Sequence, residues 1–159
     1  MARKGTVKPK TIPADPIYGS RLLTKLVNKS MRDGKKSVAR TQVYEAFAII
    51  KEKSGSDPLK VFNQALGNIK PNMEVRARRI GGAAYQVPAP VRGTRSESLA
   101  IRWLVAAANA RSNSEFHSYG KKLAAEIMDA AKSEGAAVKK RTDMERVAEA
   151  NKAFAHFRW

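Results

Sequence analysis

Met73-Glu74-Val75-Arg76-Ala77-Arg78-Arg79-Ile80-Gly81-Gly82-Ala83-Ala84-Tyr85-Gln86-Val87-Pro88-Ala89-Pro90-Val91 is where a helical sequence stops being helical. Val75, Ile80, Tyr85, Val87 and Val91 are strand formers, and no 3.6-residue apolar period runs through them. Gly81-Gly82 sits between the two extended runs. Two glycines supply the positive φ angles of a two-residue hairpin turn. That turn sets the register: Arg78 falls opposite Tyr85 and Arg76 opposite Val87, on one face. Pro88 and Pro90 lack backbone donors, so the second strand must lie at an edge. A lone two-stranded hairpin is marginal in water. Around it stand Arg76, Arg78, Arg79, Arg92 and Arg95, with Glu74 as the one acid. This density points to an arm that gains order against a polyanion. The competing reading is a small structural hairpin folded onto the helices.

Upstream, three helices are expected. The first covers residues 19–31, with Leu22, Leu23, Leu26 and Val27 inward. Arg21, Lys25 and Lys29 recur on another face, and Arg32 extends the row. Like charges at that spacing are mildly destabilising, and a partner anion relieves them. Asp33-Gly34 makes a turn, with Lys35 and Lys36 beyond it. The second helix covers residues 35–53 and buries Ala39, Val43, Phe47 and Ile50. Asp57 is a good N-cap and Pro58 suits the first helical position of the third. That helix carries Leu59, Phe62, Leu66 and Ile69 on one side and stops before Pro71.

Downstream, a fourth helix starts near Ser96 and shows Leu99, Trp103, Leu104 and Ala107. A fifth covers residues 115–133, with Phe116, Leu123, Ile127 and Ala130 inward and Gly135 as its terminator. Lys139-Lys140-Arg141 forms a basic cluster. Thr142 and Glu145 have capping-box spacing, which predicts the start of a sixth helix with Met144, Val147 and Ala148 on its apolar side. The last residues interleave Phe154, Phe157 and Trp159 with Lys152 and Arg158. Rings stack on exposed bases and cations meet phosphates; packing of the two phenylalanines on the domain is the alternative. At the other end, residues 1–18 combine Arg3, Lys4, Lys8 and Lys10 with Pro9, Pro13 and Pro16, and read as an extended basic arm. The fold expected is mainly α. A single domain of about six helices, residues 19–159, carries a protruding two-stranded hairpin at 73–91 and a basic, aromatic tail at 139–159.

The chain has 159 residues and 31 Lys and Arg against 14 Asp and Glu, a net charge of +17. Such an excess repels itself in a compact body, so a polyanionic partner is expected. Nucleic acid qualifies, because contact with phosphates releases condensed counterions. A membrane surface is a weaker fit, lacking a basic amphipathic anchor or lipid signal. No apolar run approaches the roughly 20 residues that span a bilayer. Positive charge near Met1 has no apolar run behind it, so no secretory signal is expected. The absence of cysteine excludes disulfides, thiolate metal sites and a cysteine nucleophile, and fits a reducing compartment. His117 and His156 are the only histidines and have no carboxylates at metal-ligand spacing. Gly81-Gly82 precedes a strand rather than a helix, so it is not a nucleotide phosphate loop. Neither an enzyme, a cofactor nor a small-molecule substrate is expected. The remaining choice lies between structured RNA and duplex DNA, the latter as in a basic nucleoid-type protein.

Several stretches carry a resemblance. Arg78-Arg79-Ile80-Gly81-Gly82-Ala83-Ala84-Tyr85-Gln86-Val87-Pro88 resembles the hairpin of the seventh small-subunit ribosomal protein family, in its bacterial form. Asp15-Pro16-Ile17-Tyr18-Gly19-Ser20, Asp33-Gly34-Lys35-Lys36-Ser37 and Ala100-Ile101-Arg102-Trp103 are similar to the same family, as is the run from Ala148 to His156. The match covers nearly the whole chain in order; Gly93, Thr94 and Phe157 depart from it. The resemblance implies a helical domain with an extended hairpin. It implies binding to the 3′ major domain of small-subunit rRNA and nucleation of the subunit head. It places the protein near the exit-site tRNA and the mRNA exit path, beside the ninth and eleventh proteins of the subunit. Arg76, Arg78, Arg79 and Tyr85 would then face RNA. The N-terminal arm, the row from Arg21 to Arg32, Lys35, Lys36, Arg92, Arg95, Arg102, Lys139, Lys140, Arg141, Arg158 and Trp159 complete the expected contact set.

Overall fold

A computed structural model describes residues 11–158. Among these residues the helices are α1 (Arg21–Ser30), α2 (Lys36–Ser54), α3 (Pro58–Ile69), α4 (Gly93–Ala110), the short α5 (Asn113–Phe116), α6 (Tyr119–Ala131) and α7 (Ala136–Ala150), followed by a 3-10 helix (Lys152–Phe157). Strands β1 (Met73–Ile80) and β2 (Ala83–Pro90) lie between α3 and α4 and pair antiparallel. The register is the expected one, with Arg78 opposite Tyr85 and Arg76 opposite Val87. Gly81 and Gly82 take φ of 56° and 90° at the turn. The class is therefore mainly α with a two-stranded hairpin.

Local chemistry explains the helix ends. Ser20 Oγ accepts from Leu23 N, and Asp57 Oδ1 accepts from Leu59 N at 3.0 Å with Pro58 in the first turn. Gly55 closes α2 in the left-handed conformation. The apolar stripes meet around α6, which packs on α2, α3 and α4. Leu23, Leu26, Phe47, Ile50, Phe62, Ile69, Leu104, Leu123 and Ile127 are wholly buried there. The Phe47 and Phe62 rings lie 5.6 Å apart, and Tyr18 sits 5.1 Å from Phe47.

Four expectations need correction. The predicted fifth helix is broken: α5 ends at Phe116, His117 takes φ 48°, and Ser118 starts α6 by accepting from Lys121 N. The break lets Gly120 approach α2, where its N–H donates to Gln42 Oε1 at 3.0 Å. Gly135 does not terminate that helix. Ser133 takes the left-handed turn, and Gly135, with φ 92°, opens α7. Thr142 is not a cap, because α7 begins six residues earlier at Ala136, and its hydroxyl donates to Val138 O within the helix. Its first turn is capped from a distance: Ala137 N–H donates to Glu126 Oε1 at 3.0 Å. Lys139, Lys140 and Arg141 therefore lie on a helix, and Val147 is exposed rather than apolar-packed. Finally, residues 15–18 belong to the body, not to an arm. Asp15 is buried, Tyr44 Oη donates to its carboxylate at 2.9 Å, and the backbone N–H groups of Ile17 and Tyr18 donate to it as well.

Glu126 holds three helices together. Its Oε2 accepts from Arg111 Nε at 2.8 Å at the end of α4, while Oε1 caps α7. Arg111 also pairs with Asp129. Burial alone would lower the Arg111 guanidinium's pKa, but hydrogen bonds and charge from these two carboxylates raise it. Lys122, nearly buried beside them, donates to Arg111 O and Asn113 Oδ1 at 2.5 Å each.

Glu126→Ala leaves the Ala137 N–H without its acceptor and Arg111 with Asp129 alone, and should cost about 1–3 kcal/mol in a denaturant titration. Removing an exposed carboxylate with Asp143→Ala, which pairs with Arg146 at 3.0 Å, should cost under about 1 kcal/mol. Gly120→Ala would place its Cβ 2.9 Å from Glu45 Cδ and 3.0 Å from Gln42 O. A loss of roughly 1–3 kcal/mol is expected from that overpacking, and an unchanged melting midpoint would contradict the close α2–α6 approach.

Candidate nucleic-acid interface

The hairpin base is built from residues that the strand alternation and the start of α4 bring together. Glu74, on β1, is buried. Arg76 Nε and Nη2 both reach its Oε1, at 2.7 and 2.6 Å, while Arg95 Nε donates to its Oε2 at 2.6 Å. Arg76 is two positions along the same strand, and so on the same face. Arg95 comes from the first turn of α4. Burial would raise the Glu74 carboxyl, but hydrogen bonds and charge from Arg95 and Arg76 outweigh it and hold its pKa below the usual glutamate value. Both arginines stay about half exposed, at 57% and 51% of their side chains. Backbone ties fix the same corner: Ser96 Oγ donates to Pro71 O at 3.0 Å, Val91 N–H to Asn72 O at 3.0 Å, and Asn72 N–H to Glu145 Oε1 at 3.2 Å.

Two residues farther along α4, Glu97 accepts from Lys25 Nζ of α1 at 2.8 Å, with Lys70 Nζ at 3.8 Å. The opening turns of α4 thus join the hairpin to the basic row of α1. In that row Arg21, Lys29 and Arg32 are exposed, whereas Lys25 is half-buried against Glu97. Lys25 and Lys29 line a groove with Thr94, Ser98 and Ile101 of α4. Arg92 and Arg102 are exposed on or beside the same helix. Lys35 is exposed and Lys36 half-buried near the start of α2.

Other predicted residues are placed differently from one another. Arg79 is exposed on the hairpin and Arg78 half-buried. Tyr85 packs into an aromatic trio, with its ring 5.3 Å from Phe154 and 5.4 Å from Phe157. Hairpin and C-terminal segment therefore touch through their rings, and the two phenylalanines take the packed arrangement that stood as the alternative to stacking on bases. Lys139 and Lys140 are exposed on α7, but Arg141 turns inward, donating to Asn68 O at 2.7 Å and lying 3.6 Å from Glu145. Arg158 and Lys152 line a groove with Met73, Pro88, Glu145 and Glu149, where the two carboxylates offset the two cations. Arg3, Lys4, Lys8, Lys10 and Trp159 lie outside the described residues.

Sequence reasoning missed the role of Glu74, although a lone acid among arginines was the available signal. It had no means of separating Arg111 and Lys122, whose cations serve internal bonds, from the exposed set. Among the described residues no cluster of His, Asp and Glu could hold a metal ion, and no helix is long and apolar enough to cross a membrane.

The family model described as ribosomal protein S7p/S5e matches residues 2–152. The small ribosomal subunit protein uS7 of Carboxydothermus hydrogenoformans is 57% identical over 159 residues, covering 100% of both chains. The proteins of the same name from Moorella thermoacetica and Desulforamulus reducens are 56% and 54% identical over 159 residues, again covering 100% of each chain. With a helical body, a basic hairpin of the expected register and a match over almost its whole length, the chain belongs to the ribosomal protein S7p/S5e family.

Proposed function

We propose that the protein is a structural, non-catalytic component of the small ribosomal subunit, acting in the cytoplasm. In this reading it binds the 3′ major domain of small-subunit rRNA, nucleates assembly of the head, and lies near the exit-site tRNA and the mRNA exit path. The ninth and eleventh proteins of the subunit are its neighbours. The observation that carries the reading is the full-length similarity to bacterial proteins named as small-subunit protein uS7. The distribution of cations supports it. A-form RNA hides its base edges in a deep, narrow groove, so a protein recognises the shape and backbone of the fold. Two basic surfaces joined at a fixed angle by α4 suit a junction of RNA helices better than one straight duplex. The exposed arginines of the hairpin and α4, the α1 row, and Lys139 and Lys140 are the proposed contacts.

Binding to a transcript of the 3′ major domain should weaken steeply with salt. The log–log slope should contain about −0.7 to −0.9 for each phosphate neutralised. Near-constant affinity from low to moderate salt, or equal affinity for duplex DNA in direct competition, would refute the reading. Reversing the hairpin charges with Arg78→Glu and Arg79→Glu should lower affinity at least about tenfold and reduce the slope by about 2, with the helical circular-dichroism signal unchanged. Wild-type affinity in that variant would remove the hairpin from the interface.

A further inference from the structure

We propose that Glu74 is a positioning residue for RNA: an acid that strengthens the grip on a polyanion by fixing Arg76 and Arg95 as one unit across the junction of β1 and α4. This rests on the RNA-binding reading above.

The geometry sets up the argument. One carboxylate accepts from both guanidiniums, Oε1 from Arg76 and Oε2 from Arg95, all within 2.7 Å. Two guanidiniums drawn to a single carboxylate repel each other, and only the charge between them keeps them together. Glu74 is 3% exposed, so its charge is held in place and poorly screened by solvent. Each arginine uses only part of its fork of donors on Glu74 and leaves about half of its side chain in solvent. The outward donors are therefore aimed before RNA arrives. A free arginine gives up rotamer freedom when it is fixed, and a tethered one has lost much of it already. The pair also spans two elements, since β1 carries one member and α4 the other. Its spacing thus records the angle of the hairpin on the body. Glu74 is not the only tie at this corner: the bonds from Ser96, Val91 and Asn72 persist without it.

Electrostatics alone predicts the opposite sign. Removing a negative charge from a cationic protein should tighten its hold on RNA. Positioning predicts weaker binding, because glutamine can accept from only one guanidinium and turns an amide N–H toward the other.

The test measures affinity for the 3′ major domain transcript across a salt series. Glu74→Gln should bind roughly three- to tenfold more weakly than wild type, and its salt slope should shrink by about 1 as a phosphate contact loosens. Glu52→Gln, which removes the same charge from an exposed site on α2, should bind as well as wild type or slightly better. In an Arg76→Gln, Arg95→Gln background, adding Glu74→Gln should cost nothing further. A purely structural role would add its loss in both backgrounds and leave the slope alone. Should Glu74→Gln lose its helical signal, Glu74→Asp takes its place: it keeps the charge but is too short to reach both arginines, and should bind more weakly at unchanged net charge. Wild-type or tighter affinity in the folded variant, or equal losses in the two backgrounds, overturns the proposal. Failure of the wild type itself to bind the transcript would instead sink the RNA reading.

Discussion

A net charge of +17 on 159 residues is the constraint the architecture answers. Left to itself, that excess pushes the helices apart. Buried carboxylates at the joints oppose it. Asp15 closes the turn before α1 and takes the Tyr44 hydroxyl of α2. Glu74 ties the hairpin to α4. Glu126 binds the end of α4 to α6 and caps α7. Each is at most 4% exposed, and each accepts several hydrogen bonds. Burial of an unpaired charge would be prohibitive. Here every one has donors from at least two segments or from backbone and side chain together, so it adds directional restraint to a core that is otherwise non-directional. The three buried acids of the described residues work as joints.

The cations then divide by what they face. Arg111, Lys122 and Arg141 are absorbed by internal acceptors. Lys25 and Lys70 share Glu97 at the seam of α1, α3 and α4. Arg76 and Arg95 are held but half exposed. Arg21, Lys29, Arg32, Arg79, Arg92, Arg102, Lys139 and Lys140 are presented outward. A rigid helical body, a hairpin held at its base, and a 3-10 segment laid against that hairpin through Tyr85, Phe154 and Phe157 form a surface with fixed angles. Fixed angles are what recognition of RNA shape needs, because the phosphates of a folded RNA lie at set spacings.

The amino-acid sequence by itself determined the mainly helical class, the hairpin and its register, the core stripes of α2, α3 and α4, and the cationic character. These are local or periodic properties. Two glycines fix a turn, a period of two or 3.6 residues fixes a face, and charge can be counted along the chain. The tertiary structure alone decided where α7 begins, since its cap is a carboxylate eleven residues earlier in the chain rather than Thr142. It decided that the fifth expected helix breaks at His117, because Gly120 must meet α2. It also decided which cations face outward and that Glu74 joins two of them. Those outcomes depend on partners brought together through space, and neither periodicity nor composition records which distant groups will meet.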